Sequence, residues 1–191
     1  IGWLSLMDKN GFLSDYSFQV TGKGIHNKKE RGQLFSVNPY LLGPGIDGKY
    51  RPGNAYFVHF KPFQTDQLWV PMVVLAKRLK YQSDFNLFRL SNDSWQTSRH
   101  VYRYRKGDCE DHSILLADWL SEMAYDARVV IGDWNWVRHA WVVLIHKNKV
   151  HLIEATNKNR KKKFRPVVNK LAYQPIVMFN QDFYWVNTGS K

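Results

Sequence analysis

The sequence is poor in cysteine and in acidic residues, and it lacks a long apolar run. Cys109 is its one cysteine in 191 residues, which excludes an intrachain disulfide framework and a cysteine-rich metal site. No stretch reaches the roughly 18 apolar residues of a membrane-spanning helix, so no transmembrane segment is predicted. Lys and Arg number 28 against 16 Asp and Glu, a net charge of +12. This excess favours anionic surroundings or simple solubility.

The sequence has enough apolar and aromatic residues for a packed core. Residues of these kinds make up 44% and 15% of the chain, which excludes a disordered protein. Residues 1–54 combine Gly and Pro with irregular apolar spacing, so we predict a loop-rich N-terminal extension of unknown role with one strand near Tyr16–Val20. Residues 55–191 are predicted to form the main domain, beginning with a strand at 55–60.

A helix followed by strands is predicted in the second half of the chain. Four apolar residues recur at helical spacing over 109–124: Leu116, Trp119, Leu120 and Met123. Asp108 is placed to cap this helix, with Asp111 in a position typical of a capping box. Strands are predicted at 127–132, 139–146, 149–155, 175–179 and 183–187. A helix before an antiparallel sheet predicts the α+β class.

Cys109 is the candidate nucleophile because it opens the predicted helix. Unpaired backbone N–H groups and the helix dipole at that position stabilise a thiolate, the reactive form of cysteine. The alternative from the residue alone is a buried, inert thiol.

His139 and Glu154 are candidates for the base and for the acid that orients it. A two-residue turn at Lys147–Asn148 pairs His146 with Lys149 and, in the same register, Trp141 with Glu154. Glu154 is then a diagonal neighbour of His139 on one face of the sheet. A carboxylate there holds the imidazole in position, whereas a different turn would leave Glu154 in solvent.

Three segments together resemble the transglutaminase-like superfamily. They are GDCED at the helix start, HAW on a strand and EAT at the end of the next strand, within residues 92–157. The segment from Trp95 to Asp111 is similar to bacterial transglutaminase-like cysteine peptidases. The resemblance implies a papain/transglutaminase-like core, with 55–191 as its catalytic domain. It also implies Cys109 as nucleophile, His139 as base, Glu154 as orienting acid, and Trp95 or Gln96 as residues of the oxyanion region.

The acids around the nucleophile raise the possibility of a metal ion. Asp108, Glu110 and Asp111 oppose thiolate formation if they face the thiol, and they offer the oxygen ligands that calcium prefers. The resemblance requires no cofactor, but some peptidases of this type hold calcium beside the nucleophile. The sequence therefore leaves calcium as the candidate ion at these three residues.

The expected reaction is acyl transfer from an amide of a protein or peptide substrate. Water as acceptor makes the enzyme a cysteine peptidase or amidase, which the resemblance favours, or a deamidase of glutamine side chains. A lysine amine as acceptor makes it a protein-glutamine transglutaminase. A non-catalytic binding module of the same fold is the alternative from another class. The basic loop 158–165 is a candidate contact with an anionic surface or polymer, whereas nucleic-acid binding lacks a motif. The resemblance implies a bacterial protein in the periplasm or secreted.

Overall fold

The protein is described by a computed structural model that covers residues 16–23, 41–88, 93–156 and 172–190. The ten strands of this part are β1 (Tyr16–Lys23), β2 (Leu42–Pro44), β3 (Tyr50–Pro52), β4 (Lys80–Tyr81), β5 (Lys106–Gly107), β6 (Asp126–Trp134), β7 (Val137–His146), β8 (Lys149–Ile153), β9 (Tyr173–Phe179) and β10 (Phe183–Ser190). The helices are α1 (Trp69–Arg78), α2 (Asp84–Phe88), α3 (Ser98–Tyr104) and α4 (Cys109–Ser121). Six strands form an antiparallel sheet in the order β1-β10-β9-β6-β7-β8.

Helix α4 packs on the centre of this sheet, against β6 and β7. Its apolar residues reach the core at helical spacing, and Leu116, Trp119 and Leu120 are buried. They join Ala140, Val142 and Leu144 of β7 in one apolar cluster. The prediction of an α+β fold with the nucleophile-bearing helix on an antiparallel sheet is confirmed, although α4 ends at Ser121 rather than at residue 124.

The register between β7 and β8 is also as predicted. Lys147 and Asn148 form a two-residue turn with positive φ values of 51° and 57°, as a tight hairpin requires. His146 pairs with Lys149, and the ladder continues to Val142 opposite Ile153. Glu154 therefore follows the last paired residue, at the level of Trp141.

The strand predicted at 55–60 is wrong. Ala55 and Tyr56 belong to a 3-10 turn, Gly53–Tyr56, and the chain from Phe57 onward is irregular. The backbone N–H groups of Val58 and Phe60 donate to the Asp118 carboxylate on α4, at 3.0 and 3.1 Å. The neighbouring residues Tyr56 and Phe57 are both buried, so burial does not alternate here as in a half-buried strand. The N–H groups of Val58 and Phe60 donate to a side chain instead of a neighbouring strand.

The described parts of residues 1–54 join the same structure. Strand β1 contains the predicted Tyr16–Val20 strand and pairs with β10, so it forms one edge of the main sheet. Strands β2 and β3 pair with each other, and Gly45 bridges to Trp95. A division of the chain at residue 54 stays a prediction.

Within the described residues, no helix is both long and apolar enough to cross a membrane. The basic loop 158–165 lies outside the described residues.

Candidate active site

Cys109 is the first residue of α4, as the sequence predicts. Its side chain is partly buried and is not in a disulfide. The thiol lies 3.3 Å from a carboxylate oxygen of Glu110. The position gives the sulfur access to solvent together with the field of the helix N-terminus.

His139 connects the thiol to Glu154. Its Nε2 atom is 2.8 Å from a carboxylate oxygen of Glu154, and only 13% and 16% of the two side chains is exposed. Cys109 acts on the same imidazole, because the interaction with its sulfur raises the pKa of His139. Thiol, imidazole and carboxylate thus stand in the order that an activated nucleophile, its base and the group orienting the base require.

The electrostatics of this pair favour its charged form. Burial disfavours the protonated imidazole, but the interactions with Cys109 and Glu154 outweigh it and raise the pKa of His139 to about 10. Burial likewise disfavours the carboxylate, but the hydrogen bond and charge of His139, with two hydrogen bonds from Thr156, lower the pKa of Glu154. The site therefore stabilises an imidazolium beside the thiol.

Two further residues hold Glu154 in place. One carboxylate oxygen accepts hydrogen bonds from the backbone N–H of Thr156 at 3.1 Å and from its hydroxyl at 2.7 Å. The other oxygen, which contacts His139, accepts a hydrogen bond from the Tyr173 hydroxyl at 3.2 Å. Each oxygen is bonded, so the carboxylate is fixed in one orientation toward the imidazole.

A cluster of four acids lies on the other side of the nucleophile. One oxygen from each carboxylate comes within 4.8 Å of the others in the set Asp84, Asp93, Asp108 and Glu110. Burial and neighbouring acids together raise the pKa of Asp84 to about 7. Burial first, then Asp108, raises the pKa of Glu110 well above its usual range.

The cluster also holds buried polar atoms without a hydrogen-bond partner in the part of the chain that the structure describes. They are Asp84 Oδ1, Asp108 Oδ1 and Glu110 Oε1. Burying carboxylate oxygens without hydrogen-bond donors costs free energy, and so does the repulsion between neighbouring carboxylates. A bound cation would ligate these oxygens and offset the repulsion. The residues present therefore fit a hard divalent cation.

Asp111 lies outside this cluster. It is buried, and its carboxylate accepts hydrogen bonds from the backbone and side-chain nitrogens of Gln96, at 2.7 and 2.5 Å. The predicted capping box is wrong, because the Asp108 side chain makes no capping hydrogen bond while Asp111 binds Gln96. The structure thus brings two of the three predicted metal ligands, Asp108 and Glu110, together with two acids from other segments.

The two residues proposed for the oxyanion region are buried and bonded elsewhere. The Trp95 indole N–H donates to Asp93 at 2.8 Å. The Gln96 side-chain nitrogen donates to Asp111 and, at 3.2 Å, to the backbone carbonyl of Lys106. Gln96 therefore ties the segment before α3 to the start of α4, while the Trp95 side chain bonds within its own segment.

Sequence reasoning missed Asp84, Asp93 and Tyr173. Asp84 begins α2 and Asp93 precedes Trp95, so neither belongs to the motif around Cys109. Tyr173 begins β9, which pairs with β6 rather than with the strand that carries Glu154. Their roles depend on tertiary packing, for which a single sequence carries no local signal.

Comparison with protein families matches residues 93–191, just over half of the 191-residue chain, to the CEP76 peptidase-like domain. Comparison with curated proteins gives no match.

Two solved structures of Legionella pneumophila LapG are similar to this chain. The EGTA-treated form has a TM-score of 0.52 and 16% identity, covering 64% of this chain and 66% of that one. The calcium-bound form has a TM-score of 0.50 and 14% identity, covering 65% and 72%. The chain spans slightly less than two thirds of the EGTA-treated chain. At these identities the likeness shows the fold, and with the family match it confirms the transglutaminase-like cysteine peptidase fold.

Proposed function

The chain belongs to the CEP76 peptidase-like domain family, and on that premise we propose that it is a cysteine peptidase or amidase with the triad Cys109, His139 and Glu154. The observation that supports the proposal is the 2.8 Å contact from His139 to Glu154. The Cys109 thiol at the start of α4 acts on the same imidazole and raises its pKa. A scaffold that only binds a partner has no need of this connected set.

The first half-reaction forms a thioester on Cys109. The thiolate attacks the carbonyl carbon of an amide, and the oxygen gains negative charge beside the backbone N–H groups at the start of α4. His139, protonated and held by Glu154, gives its proton to the leaving nitrogen as the carbon–nitrogen bond breaks. The amine leaves, and the acyl group stays on sulfur.

The second half-reaction returns the enzyme to its starting state. His139, now neutral, takes a proton from water as the water oxygen attacks the thioester carbon. The carbon–sulfur bond breaks, a carboxylic acid leaves, and the thiolate is restored beside the imidazolium. Glu154 keeps the ring in one orientation through both steps, because Thr156 and Tyr173 fix its oxygens.

We also propose that the four-acid cluster binds calcium. Asp84, Asp93, Asp108 and Glu110 would supply the oxygen ligands, and a cation bound there would offset the negative charge beside the thiolate. The fit of the buried, orphaned oxygens and the similarity to a calcium-bound structure support this proposal.

The family match suggests a class of substrate, and the resemblance predicts a location. A protein or peptide substrate suits a peptidase-like domain, with water as the acceptor. A place in the periplasm or outside a bacterial cell stays a prediction from the resemblance.

The decisive experiment measures the reactivity of Cys109 with and without its base. Iodoacetamide alkylation at pH 6.5, followed by intact mass, should be fast in the wild type and about a hundredfold slower in His139→Ala, because the imidazolium stabilises the thiolate. His146→Ala is the matched control, since His146 lies on the same strand and contacts Tyr125 instead of the site. Equal rates in wild type and His139→Ala would refute the triad.

A further inference from the structure

The turn between β6 and β7 presents large apolar side chains to solvent. Trp136 is 87% exposed, Val137 64% and Trp134 42%. They are neighbours in sequence at the tip of one hairpin, where Trp134 pairs with Val137. Scattered exposed apolar residues are ordinary, but three together on a hairpin tip form a surface suited to binding.

Backbone preference does not account for a tryptophan at this tip. Asn135 and Trp136 both have positive φ, 48° and 68°, as a two-residue hairpin turn demands. Asn suits the first of these positions, but the second favours Gly, and a bulky side chain there is strained. Trp136 recovers little of that strain by packing, because most of its ring lies in solvent.

The hairpin tip is continuous with the candidate active site. The Trp134 ring centroid lies 5.6 Å from that of His139 and 6.1 Å from that of Tyr173, whose hydroxyl bonds to Glu154. The apolar tip therefore begins beside the triad, on the side of the imidazole and its acid. The adjacent charges of Asp133 and Arg138 face each other at 3.5 Å, which leaves the flank of the tip without a strong net charge.

The position beside His139 defines which part of a substrate reaches the tip. His139 delivers its proton to the leaving nitrogen, so the chain that continues from this nitrogen extends past the imidazole. A substrate residue in the first or second position after the scissile bond then meets Trp134 and Trp136.

We propose that the β6–β7 tip binds the segment of a peptide substrate that follows the scissile bond and selects an aromatic or large apolar side chain there. The inference rests on the proposed function, because it needs an acyl group on Cys109 and a leaving amine. Aromatic stacking on Trp134 and Trp136 supplies the affinity, and the paired flanking charges give an acidic or basic residue no advantage.

The test uses acceptor amines, which occupy the leaving-amine site in the reverse direction. p-Nitrophenyl acetate acetylates Cys109 and releases p-nitrophenolate, which absorbance and intact mass both record. An acceptor then attacks the thioester through its amine nitrogen, His139 takes the amine proton, and the thiolate leaves from an N-acetyl peptide. The acceptors compared are Phe-Gly-amide, Gly-Phe-amide and Gly-Gly-amide, which differ in one side chain and its position.

In the wild type, at least one phenylalanine-containing acceptor should compete with water about tenfold better than Gly-Gly-amide, the size of one good aromatic contact. Trp136→Ala should reduce that ratio to about twofold or less, while Trp136→Phe retains most of it. Trp69→Ala is the control, because Trp69 is 53% exposed but lies on α1.

A glycine substitution separates binding from a structural role of Trp136. Trp136→Gly should lose the preference while its thermal midpoint stays equal to the wild type or rises, since Gly suits a positive φ. No preference in the wild type, or a preference that persists in both Trp134→Ala and Trp136→Ala, would overturn the inference and leave the triad standing. Failure of Cys109 to become acetylated would instead defeat the proposed function, and the inference with it.

Discussion

Glu154 is bonded on both oxygens, and together with Cys109 it raises the pKa of His139. The folded state raises the pKa of His139 from 6.5 to about 10 and lowers that of Glu154 below 4.5. A raised histidine pKa adds stability that is complete below pH 6.5 and lost as the pH rises through about 10. A lowered carboxyl pKa adds stability that is complete above pH 4.5 and lost as the pH falls through the lowered value.

Glu154→Gln should therefore cost most stability between about pH 4.5 and 6.5, where both contributions are complete. Thermal midpoints of wild type and variant, measured from pH 4 to 10, should differ most in that window and approach each other near pH 10. A difference that is constant across the range would show that Glu154 acts through packing and not through the charge of the pair.

Tyr173→Phe should have a smaller effect on the chemistry. It removes one of the hydrogen bonds to Glu154 and leaves those from Thr156 and His139, so Cys109 alkylation should slow about fivefold, the value of one hydrogen bond. Tyr184→Phe removes a buried hydroxyl that contacts Asn54, far from Glu154 in the sheet order, and should leave the rate unchanged. Equal slowing in the two variants would indicate a general loss of rigidity.

At the scale of residues, the triad candidates could be predicted from the sequence, but the residues that surround them could not. A helix start and a strand register make Cys109, His139 and Glu154 candidates, and the superfamily resemblance implies their roles. The contact of His139 with Glu154 agrees with the predicted register. Asp84 and Asp93 belong to α2 and to the segment after it, which no local pattern connects to Cys109. Asp108 lies at the position that caps α4, but its carboxylate belongs to the buried acid cluster and does not cap the helix.

Asp118 acts as a clamp between elements. This buried carboxylate on α4 accepts hydrogen bonds from the backbone of Val58 and Phe60, the Ser98 hydroxyl and the Gln181 side chain, at 3.0, 3.1, 2.5 and 2.9 Å. It thereby joins the irregular segment after the 3-10 turn, the start of α3 and the loop between β9 and β10 to one helix.

Asp118→Asn should lower the free energy of unfolding by about 3 kcal/mol or more, because its amide N–H₂ would face donors that lose a charged acceptor. Urea denaturation measures this value. Glu122→Gln, in the residue that follows α4 and is partly exposed, should cost about 1 kcal/mol or less. Similar losses in both variants would argue against a clamp.

Helices and strands could be predicted from the sequence where a single local pattern determines them. The β7–β8 hairpin follows from two strands around a two-residue turn, and α4 follows from apolar spacing. The segment 55–60 has the alternation of a strand, but Asp118, about sixty positions away, supplies the acceptor for its backbone. In this segment the alternation reports neither where the backbone hydrogen bonds go nor which side chains are buried, since Tyr56 and Phe57 are both buried.

Calcium should stabilise the whole molecule if the four acids bind it. At a free calcium concentration a hundredfold above the dissociation constant, the free energy of unfolding should rise by about 2.7 kcal/mol, which corresponds to a thermal midpoint about 5–10 °C higher. Differential scanning calorimetry with calcium and with EGTA measures the shift. Asp84→Asn should abolish it, whereas Asp47→Asn, an exposed acid paired with Arg51, should preserve it. An equal shift in both variants would place the ion elsewhere.

The order of strands across the sheet could not be read from the sequence. The pairing of antiparallel neighbours joined by short turns could be predicted from the sequence. The pairings of β1 with β10 and of β6 with β9 could not, because they join segments far apart in the chain. Such pairings depend on the complementarity of whole surfaces, which no window of residues contains.

The pairing of β1 with β10 has a consequence for how the protein reaches its fold. Residues 16–23 find their partner only at residues 183–190, so the sheet cannot be completed during synthesis until its last strand has left the ribosome. Closing so long a loop is slow, because its entropy is lost before the contacts that offset it form. Until then the open edge of β9 can pair with another chain, which makes this stage of synthesis the one at which a chaperone would matter most.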